Sequence, residues 1–275
     1  MNSKNWTVAK SEDGSIQINF VLAWDEITKA REKALGELVK DVEVPGFRKG
    51  MAPVDKARER VGKEQLLEKT LMQIIPELLT KAVMEEKLKP ATYPKIELLK
   101  ATDNEPWEVR ALTCELPIFD LPDYKKITSD AVRAKSITKD PTRDEKISEI
   151  VKVLLDSTKV TVPQMLIEEE VNSRLSGLLS KIEKLGLTLE GYLSSIGKTP
   201  ETIRNDYIDE AKRAISLELI LNEIAAKENI DVDASQIEEA LKASGHNHEH
   251  DERERTVVRS ILRRSKVLDF LLALV

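Results

Sequence analysis

The segment Val44–Pro53 restricts the fold of this chain more than any other part of its sequence. It reads V-P-G-F-R-K-G-M-A-P, with two glycines and two prolines within ten residues. Because proline removes a backbone donor and glycine weakens regular structure, neither a helix nor a long strand can continue through it. The sequence therefore predicts a tight loop, the 44–53 loop, which joins two helices and displays Phe47, Arg48 and Lys49.

Basic residues are concentrated around the 44–53 loop, although the chain as a whole is acidic. Residues 46–63 contain six Lys or Arg and two acidic residues, a local charge of +4, whereas the formal net charge of the chain is −6. A local positive patch on an acidic protein indicates a partner that presents phosphate or carboxylate groups at one place. The alternative is a solvated turn with ordinary surface lysines, and charge alone does not separate the two.

Composition narrows the class of protein. With 33% charged and 41% hydrophobic residues over 275 positions, the chain is typical of a soluble, helical protein of two domains. The single cysteine, Cys114, cannot form an internal disulfide and is expected to be a small buried side chain. The N-terminus lacks the apolar core of a signal peptide, and no apolar run is long enough to span a bilayer. We therefore expect a cytoplasmic protein with no membrane partner.

Residues 1–118 are predicted to form an α+β domain with the order ββ-ααα-ββ. Four stretches alternate apolar and polar residues, the pattern of half-buried strands: Trp6–Lys10, Ser15–Leu22, and the stretches at 96–98 and 109–113. An Asp-Gly pair between the first two indicates a hairpin. Three helical patterns lie in the middle. Pro53 is expected to open the short second helix, and Pro76 to kink or divide the third.

The remainder of the chain is predicted to be helical. Residues 119–145 lie in a segment with several prolines, many charges and no sustained period, which indicates an extended linker between domains. Residues 146–275 carry apolar residues at helical spacing and predict an all-α domain. Helix starts are indicated at Pro163, at Thr199-Pro200 and at Asp233 with Gln236. Helices of this length, joined by short loops, would form arms.

The 44–53 loop closely resembles the G-F-R-x-G-K-x-P signature of trigger factor, a family of bacterial chaperones that dock beside the ribosomal exit tunnel. The matching positions are Gly46, Phe47, Arg48, Gly50 and Pro53, with Lys49 at the free position and Met51 where the signature has a lysine. Trp6–Leu22, the helices after Pro53 and Pro94–Leu116 are similar to the N-terminal domain of the family. The chain from Val162 onward is similar to its C-terminal domain, whose helical arms resemble those of the chaperone SurA.

The resemblance implies an ATP-independent chaperone that shields nascent or unfolded chains at the ribosome. In that role Arg48 would bind ribosomal carboxylates or RNA phosphates, Phe47 would fill a shallow apolar pocket, and Lys49 would face the RNA backbone. The resemblance also assigns Gly46, Gly50 and Pro53 to the ribosome-binding residues. Because Met51 replaces a cation, a second interpretation is an off-ribosome holdase that clamps partly folded clients. The apolar C-terminal helix also allows a homodimer.

The family resemblance would ordinarily bring a prolyl-isomerase domain of the FK506-binding type between the N- and C-terminal regions. Such a domain needs several strands around an aromatic-lined pocket. Between Tyr124 and Pro163 the chain has fewer than forty residues, and none of them is aromatic. The chain also has no nucleotide-binding P-loop and no nucleophile motif. We therefore expect no enzyme activity and no cofactor, and residual isomerase activity is the enzyme alternative.

Two further features bear on binding. His246, His248 and His250 share the tract G-H-N-H-E-H-D-E, but alternating histidines in a loop have no scaffold for a tetrahedral metal site, so we expect no metal there. Apolar residues also exceed what one helix face can bury at two places, and such patches on arms bind unfolded chains without sequence specificity. The predicted client contacts are Leu185, Leu187, Leu189, Tyr192 and Leu193 at the first place and Phe270 and Leu272 at the second.

Overall fold

The computed structural model describes residues 4–43, 45, 47, 53, 56, 58–136, 141–243 and 252–275. The chain divides into two compact units, Met1–Leu116 and Pro117–Val275. Within the described residues, all strands belong to the first unit, and the second unit is built from helices.

The first unit contains a four-stranded antiparallel sheet with the strand order β1-β2-β4-β3. Its strands are β1 (Trp6–Lys10), β2 (Ser15–Leu22), β3 (Lys95–Lys100) and β4 (Trp107–Cys114). The predicted hairpin is confirmed, because Trp6 pairs with Phe20 and Lys10 with Ile16. Gly14 closes its turn with φ of +88°, a conformation that glycine adopts without strain. Cys114 is buried at the end of β4.

Two long helices of the first unit, α1 (Trp24–Asp41) and α2 (Lys63–Glu85), pack on one face of the sheet. Their side chains Ile27, Ile75 and Ala82 share one core with the alternate residues of β2 and β4. Pro76 lies inside α2, which is not divided there. Residues 54, 55 and 57 of the predicted middle helix between Pro53 and Gly62 lie outside the described residues, so the full ββ-ααα-ββ order stays a prediction.

The second unit contains seven helices among the residues described. These are α3 (Tyr124–Ser136), α4 (Arg143–Ser157), α5 (Gln164–Lys184), α6 (Leu189–Ser195), α7 (Pro200–Lys227), α8 (Ala234–Ala243) and α9 (Glu252–Leu272). The expectation of an extended segment over residues 119–145 is wrong for α3 and for the start of α4. Tyr124 and Val132 of α3 are buried in the same core as α4, α7 and α9, and this packing stabilises a helix where proline and charge suggested a linker.

Helix starts in the second unit follow capping chemistry. Thr199 accepts a hydrogen bond from the backbone of Thr202 and Pro200 occupies the first turn of α7, which confirms the predicted start. Thr142 and Glu145 form a second capping box at α4. At α8 the backbone of Asp233 donates to Gln236 Oε1 at 3.3 Å, one half of the predicted box.

Candidate functional site

The 44–53 loop connects the C-terminal end of α1 to the segment that leads into α2. The two helices are joined by Glu37, whose carboxylate lies 3.1 Å from Lys69 Nζ and accepts a 3.0 Å hydrogen bond from Gln73. The hydrogen bond with Lys69, followed by that with Gln73, lowers the pKa of Glu37 below its ordinary value. The helices that precede and follow the loop are therefore packed together and ion-paired.

Phe47 is the described residue at the centre of the loop. Its side chain is 40% exposed, and Lys56 Nζ lies 5.5 Å from the centroid of its ring, within cation–π range. The segment that follows exposes further cations at Arg58, Arg60 and Lys63. Pro53 is also exposed. Gly46, Arg48, Lys49, Gly50 and Met51 lie outside the described residues, so their placement remains a prediction.

A cleft lies at the base of the loop, between the end of α1 and the start of α2. Its apolar lining includes Leu38, Val42 and Met72, and its charged lining includes Glu43 and Arg60. The surface between these two helix ends thus offers apolar contact and charges of both signs.

The end of α5 carries the first predicted group of client contacts. Gly186 has φ of +68° and turns the chain after the helix. Leu185 and Leu187 on either side of it are 70% and 51% exposed. Leu193, by contrast, is only 4% exposed, because it lies on the inner face of α6. The prediction that Leu193 contacts clients is therefore wrong, because its side chain is buried.

The other predicted client contacts are partly covered. Leu189 and Tyr192 are half-buried near the same turn. Phe270 and Leu272 of α9 pack against the core of the second unit. Of the predicted client contacts, the exposed ones are therefore Leu185 and Leu187. The structure also exposes Leu179 and Ile196 in the second unit, which the sequence analysis did not single out.

Tyr124, which sequence analysis also missed, fixes α3 to the rest of the second unit. Its side chain is 3% exposed, and its hydroxyl donates a hydrogen bond to Glu228, the residue after α7. Lys125 Nζ lies 2.7 Å from the same carboxylate and 5.6 Å from the centroid of the Phe270 ring. Burial, followed by the hydrogen bond to Glu228, raises the pKa of Tyr124 to about 12.

The raised pKa of Tyr124 predicts a loss of stability at high pH. The tyrosine ionises near pH 10.0 in the unfolded chain but near pH 12 in the folded protein. Its contribution is therefore complete below pH 10 and is lost as the pH rises through the folded pKa. Tyr124→Phe should lower the free energy of unfolding by about 1–2 kcal/mol at neutral pH and flatten its fall at alkaline pH. Urea unfolding at several pH values measures the free energy of unfolding and its dependence on pH. If this free energy fell equally with pH in the wild type and in Tyr124→Phe, the stabilising role of Tyr124 would be contradicted.

Metal sites and membrane spans are further kinds of site that a chain of this composition could contain. Among the described residues, no group of His, Cys, Asp and Glu is arranged to hold a metal ion. His246, His248 and His250 lie outside that set, so the expectation for them is untested. None of the helices in the described parts of the chain has the length and apolarity needed to span a bilayer.

Two family models match the chain in succession. The model described as bacterial trigger factor protein matches residues 4–150, and the model of the trigger factor C-terminus matches residues 131–273. Their matches overlap, so no isomerase domain lies between these two parts of the chain. The family resemblance predicted from the 44–53 loop is therefore confirmed.

Individual relatives agree with this assignment. The trigger factor of Streptococcus mutans serotype c is 33% identical over 130 residues, which are 47% of this chain and 30% of that protein. The trigger factor of Dehalococcoides mccartyi is 34% identical over 121 residues, 44% of this chain and 26% of that protein. The matched part of the chain thus corresponds to less than a third of these curated relatives.

A solved structure shows the same fold along nearly the whole chain. It is a structure of the trigger factor chaperone, described for promiscuous substrate recognition in folding and assembly activities. It superposes with a TM-score of 0.59 at 14% identity and covers 97% of this chain and 99% of that one. From the two family models, supported by this fold, the chain belongs to the bacterial trigger factor family.

Proposed function

We propose that this protein is an ATP-independent chaperone that docks on the ribosome through the 44–53 loop and holds nascent or unfolded chains with its helical unit. The observation that carries the proposal is the match of both trigger factor models, over residues 4–150 and 131–273. The cytoplasm is the proposed location, since ribosomes are there. The helical unit would act as SurA-like arms, and the chain would have no prolyl-isomerase activity.

The proposed ribosome contact combines one apolar side chain with several cations. The exposed ring of Phe47 would enter an apolar pocket of a protein at the exit tunnel, and Arg48 would pair with a carboxylate or phosphate beside it. Lys49 would face the RNA backbone. Gly46, Gly50 and Pro53 would give the loop its shape. Binding through cations is expected to be saturable at low salt and to weaken steadily as salt rises, which co-sedimentation with bacterial 70S ribosomes measures.

The proposed client surface is the turn after α5. Leu185 and Leu187 are large apolar residues exposed on both sides of Gly186, with Leu189 and Tyr192 at its edge. Because unfolded chains expose apolar segments of many sequences, weak contact with such side chains would retain them without sequence specificity. This surface lies in the helical unit and does not involve the 44–53 loop.

Replacing both turn leucines should weaken holding without unfolding the protein. The variant Leu185→Ser with Leu187→Ser removes apolar surface that already faces solvent, so its thermal unfolding should be unchanged. Its capacity to suppress aggregation of a diluted, denatured model protein should fall by about threefold or more, the loss expected for two exposed apolar contacts. The matched control is Leu99→Ser with Leu116→Ser, two exposed leucines of the first unit. If both variants lost aggregation suppression equally, the proposal that the turn binds clients would be contradicted.

Met51 favours a second candidate function. The family signature has a lysine at this position, and its absence weakens the proposed cationic contact. The alternative is an off-ribosome holdase, acting alone or as a homodimer. It predicts suppression of aggregation together with no ribosome binding at any salt concentration.

A further inference from the structure

A side-chain contact joins the 44–53 loop to the segment that leads from it into α2. Lys56 Nζ lies 5.5 Å from the centroid of the Phe47 ring, which is within the range of a cation–π interaction. Phe47 belongs to the loop, whereas Lys56 lies beyond Pro53, the last residue of the loop. The contact therefore ties the ring to a residue outside the loop.

Packing against a core does not fix the orientation of the Phe47 ring. The side chain is 40% exposed and belongs to none of the buried clusters formed by the described residues. A side chain that no core holds has several staggered rotamers open to it. Of the described residues, Lys56 is the one whose cation lies over this ring. Its attraction for the face of the ring favours the rotamers that keep the two groups in contact.

Lys56 differs in its contacts from the cations that follow it. Arg58, Arg60 and Lys63 are exposed like Lys56, but none of them lies over an aromatic ring in the described structure. Among the described residues, no carboxylate forms an ion pair with Lys56, so its ammonium group is not drawn to another partner. The basic segment therefore contains one cation that acts on the ring and others that contribute charge.

From this contact we infer that Lys56 is a positioning residue for ribosome docking, which holds the Phe47 ring in the orientation in which it enters the apolar pocket of its partner. The inference rests on the proposed docking function and adds a residue outside the family signature, which ends at Pro53. A side chain that is ordered before binding loses less conformational entropy when it binds. Because a cation over one face of the ring leaves the other face and the edge open, the contact does not block the pocket.

The test is a double-mutant cycle, measured by co-sedimentation of the full chain with bacterial 70S ribosomes. Lys56→Gln should weaken binding about threefold, the effect expected for an exposed cation–π contact. Lys56→Arg should bind nearly as well as the wild type, because a guanidinium also binds the face of a ring. In a Phe47→Leu background, which lacks the ring, Lys56→Gln should weaken binding by less than about 1.5-fold, because a residue that acts through Phe47 has no effect without it.

A charge-matched control separates positioning from general attraction to RNA. Lys63→Gln removes the same charge from an exposed lysine that has no ring contact. Near about 0.3 M salt, where attraction between distant charges is largely screened, Lys63→Gln should have little effect, while Lys56→Gln should still weaken binding about threefold. Equal effects of these two variants at that salt, or equal effects of Lys56→Gln with and without the Phe47 ring, would overturn the inference. Lys56 would then act as an ordinary surface cation.

The contact is also measurable in the free protein. The ring current of Phe47 should shift the NMR signals of the Lys56 methylene protons next to the ammonium upfield, and Phe47→Leu should remove this shift. Absence of the shift in the wild type would equally overturn the inference. Circular dichroism should show unchanged helix content in every variant. If the wild type fails to sediment with ribosomes at any salt, the proposed docking function fails and the role of Lys56 fails with it, whereas additive effects in a protein that binds reject Lys56 alone.

Discussion

Alanine at Phe47, Arg48 and Lys49 is expected to abolish ribosome binding and leave the fold intact. Phe47 is 40% exposed and joins no core, so its loss removes a contact surface and no packing. A buried aromatic anchor and a charge-assisted pair typically contribute about 2 kcal/mol or more each at an interface. The triple variant should therefore bind 70S ribosomes at least about a hundredfold more weakly. Co-sedimentation across a salt series measures the change.

Two further variants test which cations contribute to ribosome binding. Arg58→Ala with Arg60→Ala removes two exposed cations outside the signature and should reduce binding only modestly, mainly at low salt. Met51→Lys restores the cation of the family signature and should tighten binding. A triple alanine variant that binds normally would eliminate the loop as the docking element. If the wild type fails to bind but Met51→Lys binds, the off-ribosome candidate would be favoured for the natural sequence.

Phe20→Ala is expected to destabilise the first unit by about 3–5 kcal/mol, the cost of deleting a buried aromatic side chain. Phe20 is 1% exposed, pairs with Trp6 on β1 and Val109 on β4, and lies in the core beneath α1 and α2. The cavity left by alanine would be enclosed by sheet and helices, which can collapse into it only in part. Phe20→Leu keeps most of the volume and should lose about 1–2 kcal/mol.

The destabilisation caused by Phe20→Ala should be confined to the first unit, and tryptophan fluorescence can measure it there. All three tryptophans of the chain, Trp6, Trp24 and Trp107, belong to the first unit, while the second unit is helical. The cores of the two units contain no residues in common. In urea, the fluorescence transition of Phe20→Ala should move to lower concentration, while a second helical transition seen by circular dichroism should stay in place. A common shift of both transitions would indicate that the units unfold together.

Several features of the fold could be predicted because residues close together in the sequence determine them. The strands of the first unit alternate apolar and polar residues, since one face of the sheet packs against the helices α1 and α2. The Asp-Gly pair marks the hairpin turn because only a residue like Gly14 adopts positive φ readily. Capping chemistry marked the start of α7. The signature residues of the 44–53 loop identified the family, although most of them lie outside the described residues.

Other features depended on contacts between residues distant in the chain. Tyr124 and Val132 make α3 a helix by packing against α4, α7 and α9, and neither a nearby proline nor local charge reveals those neighbours. Leu185 and Leu193 are equally apolar in the sequence, yet Leu185 at the end of α5 is exposed, whereas Leu193 lies on the inner face of α6 and is buried.

The sequence by itself determined the strand pattern, the position of the loop between helices and the family, because each follows from spacing and backbone chemistry within a short segment. Only the tertiary structure decided which apolar residues remain available to a partner. Exposure of Leu185, Val257 and Ile261, and burial of Leu193, depend on which face of each helix meets a neighbouring helix. The buried face of each helix is set by the packing of the whole helical unit. It therefore cannot be predicted from a short stretch of sequence.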